Sequence, residues 1–360
     1  MNNIQVHPDV PQLMANFKLE QTTNLGFGKY FSPIMITAKY AKGQWESFNL
    51  EPYAPIPLDP CAKVLHYAQE IFEGMKTFRK ADGELVMFRP EMNARRFNMS
   101  ARRMAMPEVP EQLYLEACEA ICAYSKSIVP SNHGESLYLR PFMIATEAGL
   151  GIKPATEFLF VIIASPSGGY FSGDSVKVYV ERKDIRCAPG GMGYAKTGGN
   201  YAASLNSYKK TLDIGCDQTM WLDALEHKYI EEMSGMNFFA IINGALHTPT
   251  LTDTILDGIT RKSIIDLARL EGYEVFERKL AVNEVLEAVA NGSCTEAFMC
   301  GTAAVIAPVK SFLDKGKIFE LPIIADGGIS MKLRTKLIDI QCGLHPAPQG
   351  WLYPIGNIEK

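Results

Sequence analysis

Residues 77–88, with an apolar run over 85–88, read as two short strands joined by a tight turn at Asp82-Gly83. Residues 30–40 and 44–50 also read as strands, parted by Lys42-Gly43. Pro90 then opens a stretch with helical spacing that runs to about residue 106; proline suits a helix's first turn, where no N–H is needed. A second helix is predicted over 111–128, with Cys118 and Cys122 on one apolar face at i, i+4. Two apolar strands follow, 136–146 and 157–165. The longest unbroken apolar run, 158–164, reads as a buried strand and is too short to cross a bilayer.

Small and turn-forming residues from 166 to 174 interrupt this pattern. They predict a smaller N-terminal domain over 1–166, a linker over 167–175 and a larger C-terminal domain over 176–360. The second half opens with an alternating strand, 176–182. Next comes a glycine-rich segment, and then a helix with Asn200 as its N-cap and Tyr201, Leu205, Tyr208 and Leu212 on its apolar stripe. Strands are predicted over 220–222, 229–233 and 237–242. Asp257-Gly258-Ile259-Thr260 opens a helix that stops near Glu271-Gly272, residues 296–309 form a mostly apolar strand, and 329–341 form a last helix. There is no internal repeat. The sum is an α/β (α+β) chain of two domains with mixed sheets.

Composition narrows what such a chain does. Hydrophobic residues make up 47% of 360, enough for a large core. A net charge of −4 without a basic block argues against nucleic acid or an anionic membrane as partner. Met1 to Glu20 lacks a basic stretch followed by an apolar one, so no export signal is expected. Eight scattered cysteines without a Cys-x-x-Cys pair fit a reducing, cytoplasmic compartment. The histidines show no metal-ligand spacing, and no metal is expected.

The densest chemistry lies at Pro189-Gly190-Gly191-Met192-Gly193-Tyr194-Ala195-Lys196-Thr197-Gly198-Gly199-Asn200-Tyr201. A lysine framed by glycines is reachable by a flat ligand, and desolvation can strip its proton. One reading is a phosphate loop, since Gly190-x-x-x-x-Ala195-Lys196-Thr197 misses that pattern by one residue. It needs a helix starting at the lysine, and Gly198-Gly199 postpones one. The other reading is a Schiff-base lysine for pyridoxal phosphate. That cofactor requires an amine for its aldehyde, an acid for its pyridine nitrogen, and helix-end amides, hydroxyls and an arginine for its phosphate. Candidates are Glu231 or Glu232 for the acid, and Ile259, Thr260 and Thr302 for the phosphate. One of the two glutamates is expected to face solvent, because neighbours on a strand point to opposite faces. Arg95, Arg96, Arg102 and Arg103 crowd one helix, where most such charges form a solvated face.

Phe72-Glu73-Gly74-Met75-Lys76, Phe88-Arg89-Pro90, Tyr138-Leu139-Arg140-Pro141 and Lys196-Thr197-Gly198-Gly199-Asn200-Tyr201 recur together in one family. So do Glu232 with Asn237-Phe238-Phe239, Gly258-Ile259-Thr260-Arg261 and Gly301-Thr302-Ala303. In this order and spacing the chain resembles the branched-chain amino acid aminotransferases, of the fold-type IV class of pyridoxal-phosphate enzymes. The resemblance covers nearly the whole chain and implies two mixed α/β domains with the cofactor between them. It implies that Lys196 bonds the cofactor and shuttles the proton, that Glu232 meets the pyridine nitrogen, and that Arg96, Ile259, Thr260 and Thr302 hold the phosphate. Tyr201 would donate to the ring's phenolic oxygen.

On the substrate side, Tyr138, Thr302 and Ala303 are similar to the family's α-carboxylate site. Phe27, Tyr67 and Phe72 resemble its apolar walls, and Arg140 the receiver of glutamate's distal carboxylate. The implied reaction moves the amino group of leucine, isoleucine or valine to 2-oxoglutarate by a ping-pong route. The Gly149-Leu150-Gly151-Ile152 loop resembles one that covers a neighbouring subunit's site, implying a homodimer or higher oligomer. Two places depart from the family. Gly235 stands where threonine is usual, and Ala304 and Ala307 replace the Cys-x-x-Cys of mammalian members, so no redox switch is expected. D-amino acid aminotransferase and aminodeoxychorismate lyase share the fold but fit the Phe72–Lys76 string and the length less well.

Overall fold

The computed structural model describes residues 3–21, 23–168, 175–323 and 328–356. The linker expected at 167–175 lies largely outside them. The chain divides into two compact units. The first takes Met1–Tyr170, Ala195–Gly198 and Asp339–Lys360, and the second takes Phe171–Tyr194 and Gly199–Ile338. The linear division expected from the sequence is therefore crossed twice, once by the four residues around Lys196 and once by the C-terminal segment.

Among the described residues, the first unit is built on a ten-stranded sheet. Its main path runs Ile4–Val6, Phe48–Pro52, Ile34–Ala41, Phe158–Ser167, Ser136–Ala145, Met75–Arg79, Leu85–Phe88 and Leu352–Pro354. All neighbours on it are antiparallel except the first pair. Glu70–Phe72 adds to Ser136–Ala145, antiparallel. The turn at Asp82-Gly83 forms as predicted, with Gly83 at φ +85°, a conformation glycine adopts without strain. The C-terminal strand Leu352–Pro354 has no signal in the sequence pattern; it forms by pairing with Leu85–Phe88.

Helices Pro90–Arg103 and Glu111–Tyr124 cover one face of this sheet. The second is shorter than predicted, ending in a separate 3-10 turn, Lys126–Ile128. Ala94, Phe97 and Ala101 recur at helical spacing and join Tyr114, Ala117, Cys118, Ile121 and Cys122 in one core with Leu137, Leu139, Phe160 and Ile162. The Phe97 and Phe160 rings meet edge to face at 5.5 Å. Strand residues alternate between faces, so a core holding Ile71, Leu137 and Leu139 turns Glu70, Phe72, Tyr138 and Arg140 to the other face. That alternation sets the candidate substrate residues Phe72, Tyr138 and Arg140 on one face.

In the second unit a nine-stranded mixed sheet runs Ile230–Met233, Gln218–Leu222, Val176–Val180, Val305–Asp314, Cys294–Gly301, Asn237–Ile242, Ala245–Pro249 and Val275–Arg278, with Lys317–Glu320 beside Val305–Asp314. The single apolar strand predicted at 296–309 is in fact two, Cys294–Gly301 and Val305–Asp314, paired antiparallel about a turn at Thr302–Ala304. Both strands are buried, so periodicity alone gave no sign of the reversal. The helix expected from Asn200 also differs. It is split into Gly198–Ala202 and Leu205–Asp213, and Asn200 does not cap it; its side-chain amide donates to the Met192 carbonyl at 2.9 Å. The predicted apolar stripe is not the buried face, since Leu205 and Leu212 are exposed. Ser207 and Thr211 are buried instead, bonded to Asp184 and Thr219, and these polar contacts outweigh the pattern. Among the described residues no helix is long and apolar enough to cross a membrane.

Candidate active site

In the first unit the backbone around Lys196 is clamped from two elements. The Lys196 amide donates to Ser100 Oγ on helix Pro90–Arg103 at 2.9 Å. Its carbonyl accepts from the Phe72 amide at 3.0 Å. Thr197 Oγ1 donates to the Glu70 carbonyl at 2.7 Å, and the Gly198 amide donates to the Glu70 carboxylate. Burial pushes the Glu70 carboxyl above the ordinary glutamate value, although the Gly198 amide and Thr197 hydroxyl oppose this. The clamp presents a half-buried Lys196 whose Nζ lies 4.7 Å from the centre of the Phe72 ring. A cation against an aromatic face is held in place without losing its reach.

Phe72 carries a second cation, with Arg140 Cζ 4.8 Å from the same ring. Arg140 Nη2 donates to the Tyr138 hydroxyl at 3.1 Å, and the Tyr138 ring meets Phe27 edge to face at 4.8 Å. Tyr138 fits because residue 74 is glycine: a Cβ there would collide with the tyrosine hydroxyl. The structure thus brings together Lys196, Phe72, Arg140, Tyr138 and Phe27. Tyr67 lies at the edge, more than a third exposed, and its hydroxyl donates to the Leu150 carbonyl of the Gly149–Ile152 loop.

Arg96 is the buried arginine of its helix, with a side chain 8% exposed against 69% for Arg95. Its Nε and Nη2 donate to Glu73 Oε1 and Oε2 at 2.7 and 2.8 Å, a bidentate pair. Burial works to raise the Glu73 pKa, but the Arg96 guanidinium, with help from Lys196 and Asn93, holds it below the ordinary value. Sequence reasoning did not single out Glu73 from its motif, because the partner lies 23 residues further on.

The second unit holds the candidate acid. Glu232, on strand Ile230–Met233, forms a buried ion pair with Arg186 and accepts the Leu256 amide on Oε2 at 3.2 Å. Arg186 also donates to the carbonyls of Thr254 (2.8 Å) and Gly193 (3.0 Å). Burial opposes its charge, yet Glu232 keeps its pKa above the usual arginine value. Arg186 also went unmarked in the sequence, where it lies between the strand predicted over 176–182 and the glycine-rich segment. The expectation that one of the paired glutamates is solvated is incorrect. Glu231 is 6% and Glu232 2% exposed. Glu231 is held by the Thr254 hydroxyl at 2.5 Å, and burial pushes its carboxyl up to about 7.

Loop and strand around Glu232 lead directly to a helix start. Asn237 Nδ2 donates to the Leu256 carbonyl at 3.0 Å, so Leu256 is fixed at both its amide and its carbonyl. Two residues on, Gly258 is the extended N-cap of helix Ile259–Leu270 and offers no side chain to cap it. A Cβ at Gly258 would collide with Asn237 Oδ1. The first-turn amides of Ile259 and Thr260 therefore start a 12-residue helix with no side-chain cap, the electrostatics an anion seeks. Gly301 packs against Met236, which lies 3.1 Å from the position its Cβ would take, setting the Thr302-Ala303 turn beside strand Asn237–Ile242. Tyr201 lies near Gly235, whose Cβ position is 3.4 Å from the ring.

These residues fit pyridoxal phosphate better than a nucleotide. The phosphate-loop reading required a helix opening at Lys196, and the helix that follows has five residues, Gly198–Ala202. The pyridoxal reading is supported by a buried carboxylate paired to an arginine, an uncapped helix start with Thr260 buried in its first turn, and a buried Arg140 Nε without a partner among the described residues.

Residues 70–312 match the amino-transferase class IV family. A probable branched-chain-amino-acid aminotransferase of Streptomyces coelicolor is 46% identical over 356 residues, 98% of each chain. The branched-chain-amino-acid transaminase 1 of Bacillus subtilis is 45% identical, over 91% of this chain and 94% of its own. Among solved structures, the Escherichia coli branched-chain amino acid aminotransferase superposes with a TM-score of 0.73 at 26% identity, covering 89% of this chain and 99% of that one. The PLP (holo) form of the Thermobaculum terrenum branched-chain amino acid aminotransferase gives 0.73 at 24%, covering 89% and 98%, a likeness of fold. The chain belongs to the branched-chain-amino-acid aminotransferases of amino-transferase class IV.

Proposed function

We propose that the protein transfers the amino group of L-leucine, L-isoleucine and L-valine to 2-oxoglutarate, giving L-glutamate and branched-chain 2-oxo acids. The observation that carries this is Lys196: its backbone is clamped by Glu70, Phe72 and Ser100 while its amine stays at an aromatic ring it shares with Arg140. Pyridoxal phosphate, the family's cofactor, supplies when bound an aldehyde for amines and a ring that takes up the electron pair left at a substrate's Cα.

Lys196 is the residue that would bond that aldehyde, and its Nζ would be the base that takes the α-proton and returns it on the product side. Glu232, ion-paired with Arg186, would meet the pyridine nitrogen. Arg96, the Ile259 amide and the hydroxyls of Thr260 and Thr302 would hold the phosphate, and Tyr201 the phenolic oxygen. Tyr138, Thr302 and Ala303 would orient the substrate's α-carboxylate. Phe27, Tyr67 and Phe72 supply apolar walls for a branched side chain, and Arg140 supplies the one charge that glutamate's second carboxylate needs. An apolar pocket with a single arginine accepts leucine and glutamate in turn, since the arginine's charge can stay against Phe72 when no carboxylate engages it.

The same reading makes the enzyme a cytoplasmic homodimer or higher homo-oligomer. Eight free cysteines support the compartment. The exposed Leu150 and Ile152, on a loop held by Tyr67, support the second subunit. The test is 2-oxoglutarate-dependent deamination across a panel of L-amino acids with a D-amino acid control. Branched-chain L-substrates should lead the panel, and Lys196→Ala should lose turnover entirely. Wild-type rates in that variant, or a preference for D-substrates, would overturn the proposal.

A further inference from the structure

Glu73 is the member of the Phe72-Glu73-Gly74 triplet without a role so far. Phe72 is the ring under Lys196, and Gly74 leaves the space Tyr138 fills. Glu73 is fully buried, and the bonds of its carboxylate point at one task. Oε1 accepts from Arg96 Nε at 2.7 Å. Oε2 accepts from Arg96 Nη2 (2.8 Å), Asn93 Nδ2 (2.7 Å) and the Gly74 amide (3.1 Å). Asn93 also reaches the Gly74 carbonyl at 3.3 Å. The carboxylate is thus held by its own backbone turn and by the helix that carries Arg96.

We propose that Glu73 is the positioning residue for the cofactor's phosphate: it fixes the guanidinium of Arg96 in one orientation before the phosphate arrives. The inference rests on the reading of Arg96 as the phosphate arginine. Its physical basis is geometric. An arginine has a long flexible stem and a planar fork, and a bidentate partner removes the rotation of that fork. A phosphate bound by a preset fork does not have to supply the ordering cost itself. The negative charge of Glu73 also lets a guanidinium stay buried in a site that must hold it without a ligand.

The experiment compares the full-length chain's affinity for pyridoxal phosphate with its affinity for pyridoxal, which lacks the phosphate. Glu73→Gln keeps the shape but replaces one acceptor with a donor facing the guanidinium. It should lower the ratio of the two affinities about tenfold while pyridoxal binding changes less than about twofold. A variant that had merely lost its fold would lose both ligands alike. Asn93→Ala, which removes one neutral support, should shift the ratio the same way by a smaller factor and serves if Glu73→Gln does not fold. Arg96→Ala should lower the ratio further, and adding Glu73→Gln to it should change nothing. If Arg96→Ala lowers the ratio and neither Glu73→Gln nor Asn93→Ala does, the positioning role is wrong and the arginine's role stands. If Arg96→Ala leaves the ratio unchanged, both fall.

Discussion

Each unit buries a glutamate–arginine pair among its candidate site residues, and the two pairs assign opposite duties. In the first, Arg96 is the residue proposed to meet a ligand and Glu73 holds it. In the second, Glu232 is proposed to meet a ligand and Arg186 holds it. The holder in each case is anchored beyond the pair. Glu73 is tied to Asn93 and the Gly74 amide, and Arg186 to the carbonyls of Thr254 and Gly193. Burying such pairs is not a cheap route to stability, since desolvation offsets most of the attraction. What the pairs provide is a charge of fixed sign and direction: positive where a phosphate is proposed to sit, negative where the ring nitrogen is proposed to sit. The contrast lies in which partner is proposed to meet the ligand, the arginine in one pair and the glutamate in the other.

The largest test removes a holder. Arg186→Met leaves Glu232 buried beside the Leu256 amide without its guanidinium. Breaking a buried pair from one side costs about 3–5 kcal/mol. Urea unfolding of the variant should show a loss in that range, together with weakened cofactor retention. An unfolding midpoint equal to wild type would mean that Arg186 is not integral to the second unit. Changing the second glutamate along with the arginine, as Arg186→Met with Glu232→Gln, should recover part of the stability and none of the activity. That separation of fold from function would sharpen the comparison.

Within each pair, the two members differ in how legible they were. Lys196, Arg96 and Glu232 sit in strings or positions whose order resembles a known family, so the resemblance marked them as candidates. Their holders left no such mark. Glu73 was inside a quoted string but its partner lies two strands and part of a helix away, and Arg186 lies just past the strand predicted over 176–182, outside every quoted string. Periodicity did well where one face is buried and the other is not. It gave helix Pro90–Arg103 and helix Ile259–Leu270, whereas the Asp82-Gly83 hairpin, buried on both faces of its strands, was marked by its turn residues. It failed where both faces are buried, as in Cys294–Gly301 and Val305–Asp314, and where polar side chains occupy the packed face, as Ser207 and Thr211 do. The C-terminal strand Leu352–Pro354 depends on a partner more than 260 positions earlier, which no local pattern carries.

A middle-sized effect probes the residue after a holder. Gly74→Ala adds a Cβ that collides with the Tyr138 hydroxyl, and Tyr138 is linked to Arg140 and Phe27. Displacing that ring should raise KM for both leucine and 2-oxoglutarate about tenfold, because small misplacements of orienting groups are costly. Steady-state kinetics decide it: unchanged KM for both substrates would remove Tyr138 from the carboxylate site. The Arg96–Glu73 contacts do not involve the Tyr138 hydroxyl. The ratio of pyridoxal phosphate to pyridoxal affinity should therefore move little, which distinguishes this change from Glu73→Gln.

The smallest expected effect concerns the acid next to the second pair. Glu231 neighbours Glu232 on the same strand, but its support is a hydroxyl, not a guanidinium. Burial lifts its carboxyl from 4.5 to about 7, the reverse of what Arg96 does for Glu73. The folded state therefore binds this proton more tightly than the unfolded chain. Stability from the neutral form is complete below about pH 4.5, declines as pH rises, and is gone above about 7. Glu231→Gln makes the neutral form permanent. It should leave the melting temperature nearly unchanged at pH 5 and raise it at pH 8, by about 1–2 kcal/mol of stability. Calorimetry at the two pH values reads the difference directly. An equal effect at both would show that Glu231 is ionised throughout, as Glu232 is proposed to be, and the distinction between an acid with an arginine and an acid without one would lose its physical basis.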